Sequence, residues 1–211
     1  MPVRNMTQDE VRELVGKGLV VMGQAQRIET RAKQSMKIDA EGLAVPTYDR
    51  KGLMTAIRDQ FRINWDGVHG PSHWARVRHH ALRLCTLRQG NLLVAELFAY
   101  LHDSQRENEW TDPLHGARAA DYAASLNGSY FELSGEQLDL LTHAARFHSD
   151  GLMHQDATIQ SCWDADRLDL GRVGIIPSKQ YLSVYAHFLI EEAYQWTYRL
   201  ANSKWRFVWL H

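Results

Sequence analysis

The chain has 211 residues, enough for one large domain or two small ones and for a substantial hydrophobic core. Hydrophobic residues make up 45% of it and charged residues 23%, a balance that excludes bulk disorder, a collagen-like chain and a coiled-coil rod. Lysine and arginine total 24 against 25 acidic residues, and the net charge of -1 excludes a strong overall field that would attract nucleic acid or an acidic membrane.

The N-terminal part of the chain, residues 1–60, is predicted to be a helical segment with an arm. Apolar residues recur at helical spacing after Thr7, which is a suitable N-terminal cap. Residues 28–49 are polar and are expected to form a linker or an irregular arm. Helical periodicity returns over residues 50–64, and residues 61–211 are predicted to form the main domain.

Helical signals dominate the main domain. The pairs Gly70-Pro71 and Asp112-Pro113 each start a helix, because proline fits the first helical turn. Ser134 and Gln137 have the spacing of a capping box. The one candidate strand, residues 129–133, is weak. Helices are predicted over about 71–89, 92–101, 113–126, 135–147, 157–170 and 179–201. The sequence therefore predicts an all-α fold.

Cysteine usage and hydropathy indicate a cytoplasmic protein. Cys85 and Cys162 are too few for a disulfide framework, which favours a reducing compartment. The charged N-terminus lacks the apolar core of a signal peptide. The most apolar run, Leu92 to Leu101, is interrupted by Glu96 and is far shorter than the ~20 residues of a membrane span. No membrane association is expected.

Histidine, the commonest metal ligand, occurs 11 times, so its positions carry most of the functional information. The doublet His102-Asp103 follows the apolar run, where a buried imidazole and carboxylate are costly unless they are paired or bind a metal. Imidazole and carboxylate together suit Mn, Fe, Co, Ni or Zn, and Mg is possible. The other segments of interest are His69 to Val77, His115, His148 and Cys162 to Asp169.

These segments resemble the HD-domain superfamily of metal-dependent phosphohydrolases. Its signature is a histidine, then a His-Asp doublet, then a distant aspartate, and here His73, His102-Asp103 and Asp166 stand in that order. The resemblance spans about residues 66–180 and implies an all-α HD-domain helical bundle, to which the chain adds an N-terminal helical segment. An uncharacterised bacterial branch of the superfamily is the nearest pattern.

The resemblance implies that His73, His102, Asp103 and Asp166 bind a divalent transition metal. Asp164 competes with Asp166 for the last position. Asp166 is preferred because, in related families, the ligand directly precedes the basic residue of this motif, which is Arg167 here.

The roles of the neighbouring residues follow from the same resemblance. Besides Asp103, the predicted catalytic residues are Arg106, which can face phosphate, and Glu107, which can activate water. Substrate is expected to contact Arg76, Arg167, His115 and His148. His69 is expected to support the metal site from outside it.

His115 and His148 leave the number of metals open. They resemble the extra histidines of HD proteins with two metals and the phosphate-contacting histidines of those with one. One tightly held metal is favoured, with a second possible. Both histidines are expected in the same cleft as His102-Asp103, since they stand at helix ends.

The function that the resemblance implies is metal-dependent hydrolysis of a small phosphate ester, such as a nucleotide or another phosphorylated metabolite. A di-iron oxygenase is the second enzymatic alternative, and a regulatory metal-binding domain is the non-enzymatic one. Nucleic acid is an unlikely substrate because the chain is not basic. Residues 28–49 and the aromatic C-terminus could mediate a homodimer.

Overall fold

The computed structural model describes residues 36–38, 44–46 and 48–202. The helix predicted after Thr7 and the aromatic C-terminus fall outside these residues. Two short strands, β1 (Met36–Ile38) and β2 (Ala44–Pro46), pair in antiparallel fashion, with Met36 opposite Pro46. They lie within the segment that was expected to be a linker or irregular arm.

Seven α-helices make up most of the described residues, and the all-α prediction is confirmed. Three 3₁₀ turns, Asp169–Val173, Lys179–Tyr181 and His187–Leu189, lie between the last two helices. The helices are α1 (Arg50–Gln60), α2 (Pro71–Arg88), α3 (Leu92–Leu101), α4 (His115–Leu126), α5 (Gly135–Phe147), α6 (Ala157–Leu168) and α7 (Ile190–Asn202).

Three helices begin at residues whose side chains accept hydrogen bonds from the unpaired amides of the first turn. Asn91 accepts a hydrogen bond from the Val94 amide at the start of α3. The Asp156 side chain accepts hydrogen bonds from the Thr158 and Ile159 amides in the first turn of α6. Ser134 and Gln137 form the predicted capping box at the start of α5.

Three predicted elements differ from the structure. Helix α4 begins at His115 rather than Pro113, because the Asp112 carboxylate bonds Arg118 instead of capping a helix. The last predicted helix is broken before Ile190, since the Ser183 amide bonds the buried Asp164 carboxylate. Residues 129–133 form no strand and contribute one isolated bridge, between Asn127 and Phe131.

The core lies where α2 packs against α3 and α6, with α5 closing one side. Trp74, Phe98 and Trp163 are its largest fully buried side chains. Helix α7 packs against the 3₁₀ turn Asp169–Val173, and α4 packs along α5. None of the described helices is long and apolar enough to cross a membrane.

Glu96 is a fully buried carboxylate on the apolar helix α3. Arg78 of α2 donates a hydrogen bond to it at 2.8 Å, and Arg50 of α1 forms an ion pair with it. The residue that interrupts the apolar run therefore joins three helices through charge pairs. Such a carboxylate is tolerated inside a protein only when it is paired in this way.

Candidate metal centre

The polar centre of the protein lies where helix ends meet. His73 lies in the first turn of α2, and His102 and Asp103 directly follow α3. His115 is the first residue of α4, and His148 directly follows α5. All five side chains are at most 4% exposed. A helical protein can build a polar site at helix ends without burying charges in the middle of its core.

His73, His102 and Asp103 form the first of two groups that could hold a metal ion. The Nε2 atoms of His73 and His102 lie 3.0 Å apart. Oδ2 of Asp103 lies 3.5 Å from the first of them and 3.6 Å from the second. Asp166 of α6 brings its Oδ1 atom to 3.4 Å from His73 and 3.8 Å from His102.

Asp103 also belongs to the second group, with His115 and His148. The Nε2 atoms of these two histidines are 2.9 Å apart. They lie 3.3 Å and 3.7 Å from Oδ1 of Asp103. Each carboxylate oxygen of Asp103 thus faces its own pair of histidines, so this side chain lies between the two groups.

Gly116 allows the second pair to form. A Cβ atom at this position would lie 2.7 Å from the carbonyl oxygen of Arg146 and 2.8 Å from that of Ala145. Only glycine lets the start of α4 approach the end of α5 this closely. The close approach brings His115 next to His148.

The hydrogen bonds at Nδ1 fix the tautomer of all four imidazoles. Nδ1 of each ring faces an oxygen acceptor, so this nitrogen carries the proton and Nε2 presents its lone pair. The acceptor for His73 is the Asp169 carboxylate. The acceptors for His102, His115 and His148 are the backbone carbonyl oxygens of Phe98, Asp112 and Ala145, respectively.

This arrangement fits a bound cation. Lone pairs of two imidazoles that face each other at about 3 Å repel unless a proton or a metal ion lies between them. Asp166 Oδ1 is buried and has no hydrogen-bond partner among the described residues, although His73 lies close by. Neutral imidazoles and carboxylates are the donors that transition metals prefer.

The electrostatics of the first group favour ligands in their metal-binding forms. Burial lowers the pKa of His102 to about 3, so its ring is neutral. Burial would raise the pKa of the Asp103 carboxyl, but the His102 and His148 imidazoles hold it well below its usual range. The His73 and His102 imidazoles likewise hold the pKa of Asp166 far below its usual range against the effect of burial.

No protein-family model and no curated protein matches the chain. In three dimensions it is similar to the crystal structure of a predicted HD superfamily hydrolase from an uncultured Thermotogales bacterium, with a TM-score of 0.55. The two chains are 23% identical, and the match covers 72% of this chain and 89% of the other. The chain has the HD-domain fold. The resemblance carried by the ordered histidines and aspartates is thus confirmed for the fold.

Asp164 and Asp166 have different surroundings in the structure. Asp166 faces His73 and His102, as described above. Asp164 points away and is bonded by the Ser183 amide at 3.0 Å and by Gln160 at 2.8 Å. The geometry therefore places Asp166, and not its competitor, beside the first group.

A cavity of about 300 Å³ opens next to the two groups. Asp103, Asp166, His115 and His148 line it together with arginines. The arginines are Arg106, Arg167 and Arg172. This combination places guanidinium groups and candidate ligands around the same cavity.

The three arginines differ in how far they are already paired. Arg106 lies 3.4 Å from Asp103 and 3.2 Å from His115 Nε2. Arg172 donates to the Val68 carbonyl at 3.0 Å. Arg167 donates to the Tyr181 carbonyl through Nη1, but its buried Nη2 has no hydrogen-bond partner among the described residues. Arg167 therefore keeps a donor for a ligand.

Two predicted roles do not agree with the structure. Arg76 was expected to contact substrate, but both its Nε and its Nη2 donate to the Asp169 carboxylate, at 2.6 Å and 2.9 Å. Glu107 was expected to activate water, but it is half-exposed and forms ion pairs with Arg62 and Arg118. Neither Arg76 nor Glu107 lines the cavity. In both cases the side chain is already paired with a nearby residue of opposite charge.

His69 and Asp169 complete the surroundings of the centre. His69 is buried and bonds Glu109 at 2.7 Å, outside both candidate metal groups. Asp169 was not assigned a role from the sequence, but it contacts His73. The available signal was its spacing from Asp166, because three residues correspond to nearly one turn of a helix.

Proposed function

We propose that the protein is a metal-dependent hydrolase of phosphate esters that acts on a small phosphorylated substrate. The observation that carries the proposal is the pair of histidine groups that share Asp103 and open into a cavity with arginines. When bound there, divalent cations would polarise a phosphoryl oxygen and lower the pKa of a water molecule.

We further propose that two cations bind side by side, one to each group. The first would be held by His73, His102, Asp103 and Asp166, and the second by the remaining pair of histidines with Asp103 as the shared ligand. The sequence favours one tight metal, whereas the similar burial and the shared tautomer of both histidine pairs support two. Mn, Fe, Co, Ni and Zn suit these donors, and Mg is possible.

The cavity arginines would bind the phosphate group. Arg167 supports this role best, since its Nη2 donor is buried and unused among the described residues. A planar guanidinium can bind a phosphate through two parallel hydrogen bonds. The volume of about 300 Å³ is at the lower end for ligand sites and supports a small substrate.

A phosphate-release screen tests the proposal. Protein stripped of metal is reloaded with one cation at a time and incubated with phosphate monoesters, nucleotides and phosphodiesters. We expect phosphate release that requires metal and is lost in Asp103→Asn. Asp164→Asn is the matched control, because it changes a buried carboxylate that lies outside both groups. A blank screen under every metal would contradict the proposal.

A di-iron oxygenase is the alternative, because two histidine pairs that share a carboxylate would also suit two irons. Its signature would be iron-specific loading and an ultraviolet–visible spectrum that changes with dioxygen. The unused donor of Arg167 favours the phosphate-ester reading. Metal binding with no activity of either kind would instead favour a regulatory domain.

A further inference from the structure

His73 differs from the other three histidines in what holds its Nδ1 proton. His102, His115 and His148 donate to neutral backbone carbonyls. His73 donates to the Asp169 carboxylate at 2.7 Å, and that carboxylate is 1% exposed. One of the candidate metal ligands is therefore supported by a buried negative charge.

Asp169 is itself held from two directions. Arg76, which lies on the same helix as His73, donates two hydrogen bonds to it. The Thr197 hydroxyl of α7 is buried and lies between two acceptors, Oδ1 of Asp169 at 3.1 Å and the Ala193 carbonyl at 2.9 Å. The carboxylate therefore has a fixed position, and it connects the C-terminal helix with the metal centre.

We propose that Asp169 is a positioning residue that fixes the ring and tautomer of His73 for metal binding, and that Arg76 and Thr197 hold Asp169 in place. This inference rests on the proposed function only in that His73 binds a cation. A carboxylate partner orients the imidazole and makes its other nitrogen a better donor. Loss of such an outer partner typically lowers metal affinity by about 10- to 100-fold.

The backbone at the start of α2 explains why His73 takes its acceptor from another element. The first turn of a helix presents unpaired amide donors, whereas unpaired carbonyls occur at the other end. The Gly70 carbonyl is already used by the amides of His73 and Trp74. His73 must therefore find its acceptor on another element, and Asp169 provides it.

Metal affinity is the direct test. Calorimetric titration of metal-free protein with Mn²⁺ or Zn²⁺ should show a 10- to 100-fold weaker first site in Asp169→Asn than in the wild type. Asp164→Asn is the matched control. It changes another buried carboxylate of the same segment, one that is hydrogen-bonded to Gln160 and Ser183 and, among the described residues, to no histidine. Equal affinity in both variants would overturn the inference.

A second pair of variants covers the case in which Asp169→Asn does not fold. Thr197→Val removes the hydroxyl and keeps the shape, and Thr197→Ser keeps the hydroxyl. We expect Thr197→Val to bind the metal several-fold more weakly than the wild type, and Thr197→Ser to retain the wild-type affinity. The ¹⁵N spectrum of the His73 ring should show a mixture of tautomers in Thr197→Val, a change that a loss of stability would not produce. An unchanged spectrum and affinity would contradict the inference.

The outcomes separate this inference from the proposed function. Metal binding that depends on Asp169, together with a blank phosphate screen, would support the inference and contradict the function. Phosphate release by the wild type, together with unchanged metal affinity in Asp169→Asn, would support the function and contradict the inference. A wild type that binds no metal would overturn both.

Discussion

Acid sensitivity provides a quantitative test of the packing around His80. This residue of α2 is fully buried, and its Nδ1 atom has no hydrogen-bond partner within the part of the chain that the structure describes. Its ring packs edge-on against Trp196 at 5.6 Å and lies near His79. Burial, helped by the neighbouring His79 and opposed by the attraction of Asp169, lowers the pKa of His80 to about 3.

The sign and size of the effect follow from linkage. The folded state holds His80 neutral, whereas the unfolded chain has an ordinary histidine pKa of about 6.5. Its contribution to stability is therefore complete above pH 6.5 and is lost progressively as the pH falls towards 3. At pH 5 the loss is about 2 kcal/mol, or roughly 30-fold in the unfolding equilibrium, since each pKa unit corresponds to about 1.4 kcal/mol.

Urea denaturation at several pH values measures this loss. The variant His80→Leu cannot titrate at this position, so its free energy of unfolding should fall less than that of the wild type between pH 7 and pH 5. The difference between the two proteins in how the free energy of unfolding changes with pH isolates His80 from every other titrating group. Parallel curves for the two proteins would refute the reasoning, whatever their absolute stabilities.

Four further predictions concern the metal centre and the core. Wild type should bind two equivalents of metal by elemental analysis, and His148→Ala should bind one. Gly116→Ala should also lose the second equivalent, because its Cβ would separate α4 from α5. Arg167→Lys should raise KM for the substrate several-fold in steady-state assays, since a point charge cannot replace a planar fork. Glu96→Ala should lower the free energy of unfolding in urea by about 3 kcal/mol, because it removes the buried carboxylate that Arg78 faces.

The sequence was informative about the ligands because their order and helical context are local properties. The helix signals at Pro71 and at Ser134 are each formed by residues close together in the sequence, and the structure has helices at both places. The clustering of His115 and His148 was also accessible, since both stand at helix ends. The bridging position of Asp103 was not, because it depends on which oxygen faces which histidine pair.

The assignments that failed depend on contacts between distant residues. Arg76 and Asp169 are 93 positions apart, and Arg62 and Glu107 are 45 apart. Sequence patterns identify an arginine that can bind phosphate, but they do not show that it already forms an ion pair with a buried carboxylate. The broken final helix has the same cause, since the Asp164 carboxylate binds Ser183 from another element.

The location of a histidine within its helix decides what kind of partner can fix its tautomer. His102 and His148 follow the last residues of their helices, where carbonyls lack amide partners. Each ring donates to a carbonyl of its own helix, Phe98 or Ala145. One contact thus satisfies a helix end and orients a metal ligand.

At the start of α2 the Gly70 carbonyl is already bonded by two amides, so the acceptor for His73 comes from another element. His115 at the start of α4 instead uses the backbone carbonyl of Asp112, just before its helix. For His73 the other element is the 3₁₀ turn with Asp169, which connects the metal centre to α7 through Thr197. The end of the bundle formed by α2 and α7 is therefore the part of the structure where a change far from the cavity should reach a ligand.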